Sequence, residues 1–91
     1  MTRQVLADSP ELMTVRFRFK AVGATGALHQ HPHVQSTFVQ SGSFLFSVDG
    51  KEFSVGPGDA FVIPSNALHG CVCLEPGVLI DGFTPRRDDF L

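Results

Sequence analysis

Residues 44–55 read FLFSVDGKEFSV. Phe44-Leu45-Phe46-Ser47-Val48 and Lys51-Glu52-Phe53-Ser54-Val55 flank the pair Asp49-Gly50. A two-residue hairpin loop needs positive φ at both central positions, and Asp-Gly supplies it. The two runs are therefore expected to be antiparallel strands joined by a tight turn. The pattern extends outward from there. In Thr14–Lys20 the apolar residues Val15, Phe17 and Phe19 alternate with polar ones, the mark of a half-buried strand. Gly56-Pro57-Gly58-Asp59 is another turn. Ala60–Ile63, Ala67–Leu74 and Val78–Phe83 are read as further short strands, the last two separated by Glu75-Pro76-Gly77. Residues Pro85–Leu91 have room for one helical turn. No segment carries a helical period over a useful length. The expectation is an all-β protein of about eight to ten short strands, arranged as an antiparallel sandwich or barrel.

The chain has 91 residues, enough for a single domain over 1–91. Apolar residues make up 43%, and nine phenylalanines supply most of the core's bulk in the absence of Trp and Tyr. A chain this small buries a modest fraction of its surface and exposes sheet edges, so a homodimer is expected. The net charge of -2 offers no basic footprint for nucleic acid. No apolar run is long enough to span a membrane, and MTRQVLADSPEL lacks the apolar stretch of a signal peptide. The expected compartment is the cytoplasm. Cys71 and Cys73 stand at i and i+2, a poor geometry for a disulfide, and read as reduced core residues.

Three of the four histidines lie in HQHPHVQ, residues 29–35. His29, His31, His33 and Gln35 fall at every second position, so on a strand they share a face. Imidazoles at that spacing can grip one metal ion. Gln35 adds an amide oxygen, and His69 is the distant candidate. Pro32 disturbs the strand beside His33, which is assigned no ligand role. A second unusual position is Asp81, which shares a strand face with Leu79 and Phe83. A carboxyl inside an apolar barrel is costly unless it is paired or moves protons. Arg87 is its expected partner, as a salt bridge or as a joint receiver of substrate.

The spacing around the histidines carries a family resemblance. Gly23, His29, His31, Gln35 and Gly42 follow the pattern G-x5-H-x-H-x3-E-x6-G, with Gln in place of Glu. Gly58, Pro64, Asn66, His69 and Cys73 follow G-x5-P-x-G-x2-H-x3-N, with Asn for the second Gly and Cys for the final Asn. The chain thereby resembles the cupin superfamily. The resemblance implies a double-stranded β-helix, or jelly-roll, barrel holding one divalent transition metal (Ni, Zn, Fe, Mn or Co). It implies His29, His31, Gln35 and His69 as the ligands. Gln in place of Glu leaves the ion's charge uncompensated, which suits an anionic substrate.

A narrower resemblance covers residues 23–91. HPH-x-Q followed by D-G-F-x-P-x-R-x-D-F is similar to the small cupins of pectin and alginate degradation, though the chain is short for that group. That group turns 4,5-unsaturated monouronates into linear keto forms. The resemblance implies an enzyme acting on a small anionic sugar acid, in an isomerase-type ring opening without redox. Asp81 would move a proton, Arg87 would clamp the carboxylate, and Phe83 would wall the pocket. Two other readings stay open at this level: a metal-dependent dioxygenase of the small-cupin type, and a non-catalytic module that binds sugar or metal.

Overall fold

The hairpin at Asp49-Gly50 is formed as the sequence requires. Both residues are left-handed, with φ of 48° and 81°, and the flanking strands pair from Phe44↔Val55 to Val48↔Lys51. The computed structural model describes all 91 residues. Seven strands occur in chain order: β1 Thr2–Ser9, β2 Leu12–Phe19, β3 Thr25–His29, β4 Val34–Val48, β5 Lys51–Val55, β6 Ala60–Ile63 and β7 His69–Thr84. A single 3-10 turn, Asp88–Phe90, closes the chain. There is no α-helix, and no helix is long and apolar enough to cross a membrane.

All strand pairs are antiparallel. Two long strands organise the barrel. β4 and β7 pair along most of their length, but each half finds different outer neighbours. The first half of β4 pairs β6, and the second half of β7 pairs β2, which pairs β1 in turn. The second half of β4 pairs β5, and the first half of β7 pairs β3. Two sheets thus share the same pair of strands, which bend from one sheet into the other. This is the jelly-roll expected from the sequence.

The bend sits where Gly42 meets Gly77. The β4–β7 register shifts repeatedly between Val39 and Phe44. Gly42 has φ of 76° and no room for a side chain: a Cβ there would stand 2.5 Å from the Glu75 carbonyl oxygen and 2.7 Å from the Gly77 Cα. Two backbones can approach this closely only where both lack side chains. The turn read at Glu75-Pro76-Gly77 is therefore a bulged bend inside one continuous strand. This lowers the strand count from the expected eight to ten to seven, because Gly and Pro within a bend look like a break between strands.

The core lies between the two sheets. β2 contributes Met13, Val15, Phe17 and Phe19, all buried on its inward face. Val39, Phe44 and Phe46 come from β4, Val55 from β5, and Cys73, Leu79 and Phe83 from β7. Both cysteines are free, and both face inward. The strand β1 was not expected, since TRQVLADS is exposed along nearly all its length and shows no alternation of burial. It is an edge strand bonded only to β2.

Candidate functional site

His29 ends β3, and His69, directly opposite it in register, begins β7. His31 lies in the connection between β3 and β4. The ring centroids of His29 and His69 are 4.3 Å apart, those of His31 and His69 4.9 Å, and those of His29 and His31 5.4 Å. One nitrogen from each ring falls in a group spanning no more than 4.8 Å. His31 and His69 are buried and His29 is exposed.

The backbone orients all three rings in the same way. Nδ1 of His29 donates to the Ala27 carbonyl at 2.8 Å, Nδ1 of His31 to the His33 carbonyl at 3.0 Å, and Nδ1 of His69 to the Ala67 carbonyl at 2.9 Å. A carbonyl oxygen can only accept, so each Nδ1 carries the proton and each Nε2 presents a lone pair. Burial lowers the pKa of His31 and His69, which favours the neutral rings a metal requires. Nε2 of His69 is buried and has no hydrogen-bond partner. Nε2 of His31 faces Oε1 of Gln35 at 3.1 Å. With its proton on Nδ1, that contact joins two electron-rich atoms, an arrangement that a cation resolves. The residues present therefore fit a bound metal ion.

Gln35 is fixed from its other side. Its Nε2 donates to Thr37 Oγ1 at 3.1 Å and to Asp81 Oδ2 at 3.2 Å. These two bonds leave only its oxygen to face the histidines. Asp81 stands on the central strand β7, in register with Val15 on one side and Thr37 on the other. Both neighbours are fully buried. Burial in this setting pushes the Asp81 carboxyl from its ordinary 3.8 up to about 7, and the Thr37 hydroxyl pulls weakly the other way. Its Oδ1 has no partner.

A cavity of about 250 Å³ adjoins these groups. His29, His69, Gln35 and Asp81 are its polar groups on the barrel side, and Phe17, Phe19, Leu79 and Phe83 are part of its apolar wall. Arg87 also lines it, but does not pair with Asp81. Its Nε and Nη2 bond Asp89 at 3.0 and 2.8 Å instead. A salt bridge between Asp81 and Arg87, one of the two readings of the sequence, is absent because Asp89, two residues on, offers a local two-pronged partner. The tail is held by Arg86, which bonds Asp8 of β1 at 3.1 Å and Asp88 at 2.8 Å. His33 stands beside His31, with ring centroids 5.3 Å apart, and lies outside the three-histidine group. Its carbonyl, rather than its imidazole, serves the site by orienting His31.

Among the residues of this cavity to which sequence reasoning gave no role are Arg3 and Phe90. Phe90 packs edge-on against Phe17 and Phe83, with centroids 6.0 and 5.6 Å away. Guanidinium carbons of Arg3 and Arg87 lie 4.1 and 4.2 Å from its ring centre. Their convergence joins the two ends of the chain, and no local pattern encodes it.

The comparisons with known proteins agree with this fold. The family model described as the cupin domain matches residues 16–82. The pectin degradation protein KdgF of Dickeya dadantii is 43% identical over 91 residues, covering 98% of this chain and 82% of that protein. The solved structure of KdgF from Halomonas sp. is 45% identical, with a TM-score of 0.93 over 98% of this chain and 82% of that one. An RmlC-like cupin from Shewanella frigidimarina is 43% identical with the same TM-score, over 98% of this chain and 79% of that one. The chain belongs to the cupin family, as a homologue of the pectin-degradation cupins.

Proposed function

We propose that the protein converts 4,5-unsaturated monouronates, released from pectin or alginate, into their linear keto forms. The observation that carries this reading is the Asp81 carboxyl, buried in the cavity wall with one oxygen unpartnered and a pKa near neutrality. A carboxyl in that state can both take and give a proton at neutral pH. The similarity to pectin degradation proteins supplies the substrate class.

The ring opening is a proton rearrangement without redox. The anomeric hydroxyl gives up its proton as the bond between the anomeric carbon and the ring oxygen breaks, leaving an aldehyde and an enolate. The enolate becomes a ketone when that proton is delivered to the neighbouring alkene carbon. Asp81 Oδ1 is the atom placed to move that proton, and Gln35 Nε2 holds the other carboxyl oxygen still. Arg87 retains Nη1 for the substrate carboxylate, since Asp89 engages its Nε and Nη2. Phe83 presents an apolar wall to the sugar ring. One divalent transition metal held by His29, His31, Gln35 and His69 would supply a fixed positive charge that polarises the sugar oxygens.

Unsaturated galacturonate absorbs in the ultraviolet through its conjugated alkene, and linearisation removes that absorbance. The wild type is expected to accelerate the loss over the spontaneous rate. Asp81→Asn is expected to slow it by roughly a hundredfold or more. An Asp81→Asn variant as fast as the wild type would remove Asp81 from the chemistry.

A further inference from the structure

Arg3 occupies an unusual place. It belongs to the exposed edge strand β1, yet it lines the same cavity as His29, His69 and Asp81. Its guanidinium lies over Phe90 at 4.1 Å, and that of Arg87 lies over the same ring at 4.2 Å. Phe90 is thus in contact with both guanidinium groups. The two cations are not equivalent. Arg87 has two donor positions occupied by Asp89, whereas Arg3 forms no ion pair with any carboxylate. Phe90 fixes where the Arg3 head sits without consuming any of its donors. The only carboxyl lining the cavity is Asp81, already engaged by Gln35. The mouth therefore presents an oriented, unpaired fork of donors next to an apolar ring.

We propose that Arg3 is the principal receiver of the substrate carboxylate, with Phe90 as the ring against which it and Arg87 are both held. This rests on the sugar-acid reading above and assigns that anion a binding residue on β1. An aromatic ring in contact with both guanidiniums holds both charged heads at the cavity in the free protein, so less order has to be imposed when the anion arrives. Arg87 then takes a subsidiary part through its remaining nitrogen. Discrimination between the charged sugar acid and a neutral sugar comes chiefly from Arg3.

The test uses the metal-reconstituted full chain and saturated galacturonate, which lacks the alkene that the reaction consumes. Titration calorimetry compares wild type, Arg3→Met and Arg3→Lys, with thermal unfolding confirming that each is folded. Methionine keeps apolar contact with Phe90 and loses the charge, whereas lysine keeps the charge. Arg3→Met is expected to bind galacturonate about tenfold or more weakly, with Arg3→Lys partly restoring affinity. With unsaturated galacturonate, KM is expected to rise in Arg3→Met while kcat stays within about threefold. Wild-type affinity in Arg3→Met overturns the proposal, as does a wild type that fails to bind galacturonate. If the wild type binds galacturonate and Arg3→Met loses it, the proposal stands even where no turnover occurs, and only the catalytic reading falls. If turnover is present and Arg3→Met is unchanged in both affinity and KM, the catalytic reading stands and Arg3 has no role in binding.

Discussion

Gln35 Nε2 donates to Asp81 Oδ2 across 3.2 Å. The amide whose oxygen faces the histidines and the carboxyl that borders the cavity therefore hold each other in place. Glutamate at position 35 would match the commoner cupin pattern but remove this donor. It would also set two carboxyls in contact, which raises the proton affinity of one of them further. The added negative charge should hold a metal ion more tightly and repel an anionic substrate. For Gln35→Glu we expect slower metal loss to a chelator, together with a fall in kcat/KM of about tenfold or more at neutral pH. Metal-release kinetics and steady-state assays on the same preparation check both halves. An active variant with wild-type kcat/KM would show that the neutral amide has no special part.

The Asp81 carboxyl has a folded value of about 7 against an ordinary 3.8. The folded state binds the extra proton between those values, so its stability falls as pH rises through that window. For the metal-free protein this linkage amounts to roughly 4 kcal/mol at most. His31 and His69 act in the opposite sense. Burial lowers their pKa, so they cost stability as pH falls below their ordinary 6.5. Asp81→Asn removes only the first effect. Urea unfolding at pH 5 and pH 8 should show the variant gaining stability relative to wild type at the higher pH. Parallel profiles for the two proteins would mean that Asp81 is not held protonated.

His69 is 3% exposed, and its Nε2 has no partner. If that nitrogen is a ligand, His69→Ala should drop bound metal from near one ion per chain to a small fraction of that, measured by elemental analysis after desalting. His33→Ala should keep its metal, because only the His33 backbone carbonyl orients His31. Equal metal content in the two variants would contradict the ligand set.

The outward face of β6 and the first half of β4 carries Val34, Phe38 and Val62, which are 39%, 44% and 63% exposed. Phe38 pairs in register with Ile80, and Ser36 with Val62, so these side chains form one patch on neighbouring strands. An apolar sheet face next to unpaired edge strands is commonly covered by a second copy. We expect a dimer in dilute size-exclusion chromatography, and a monomer for Phe38→Glu with the fold retained by circular dichroism. A wild-type monomer at micromolar concentration would contradict this.

Much of the fold was legible because it is written in short-range patterns. Val15, Phe17 and Phe19 alternate with arginines, and every one of them is buried as the period requires. Asp49 and Asn66 take the left-handed conformation that their positions suggest. What stayed hidden is long-range. Nothing local shows that Gly42 and Gly77 touch, so the bend they permit was read as a turn between separate strands. β1 carries no burial signal, because it is exposed on both faces. The ligand candidates were legible through spacing, and the structure brings His29, His31 and His69 together with Gln35 alongside. Arg87 lines the cavity, but its partner is Asp89 rather than Asp81. Arg3 and Phe90, 87 positions apart in the sequence, could be joined only in three dimensions.

The central claim is that this cavity opens unsaturated uronates by metal-assisted proton transfer without redox. The most direct test follows the ultraviolet absorbance of unsaturated galacturonate and dissolved oxygen in the same cuvette. The metal-loaded protein, the chelator-treated protein and the chelator-treated protein with metal restored are compared. The account predicts absorbance loss above the spontaneous rate in the first and third, little in the second, and no oxygen consumption in any. Absorbance loss at the spontaneous rate in all three, or turnover that consumes oxygen, would contradict it.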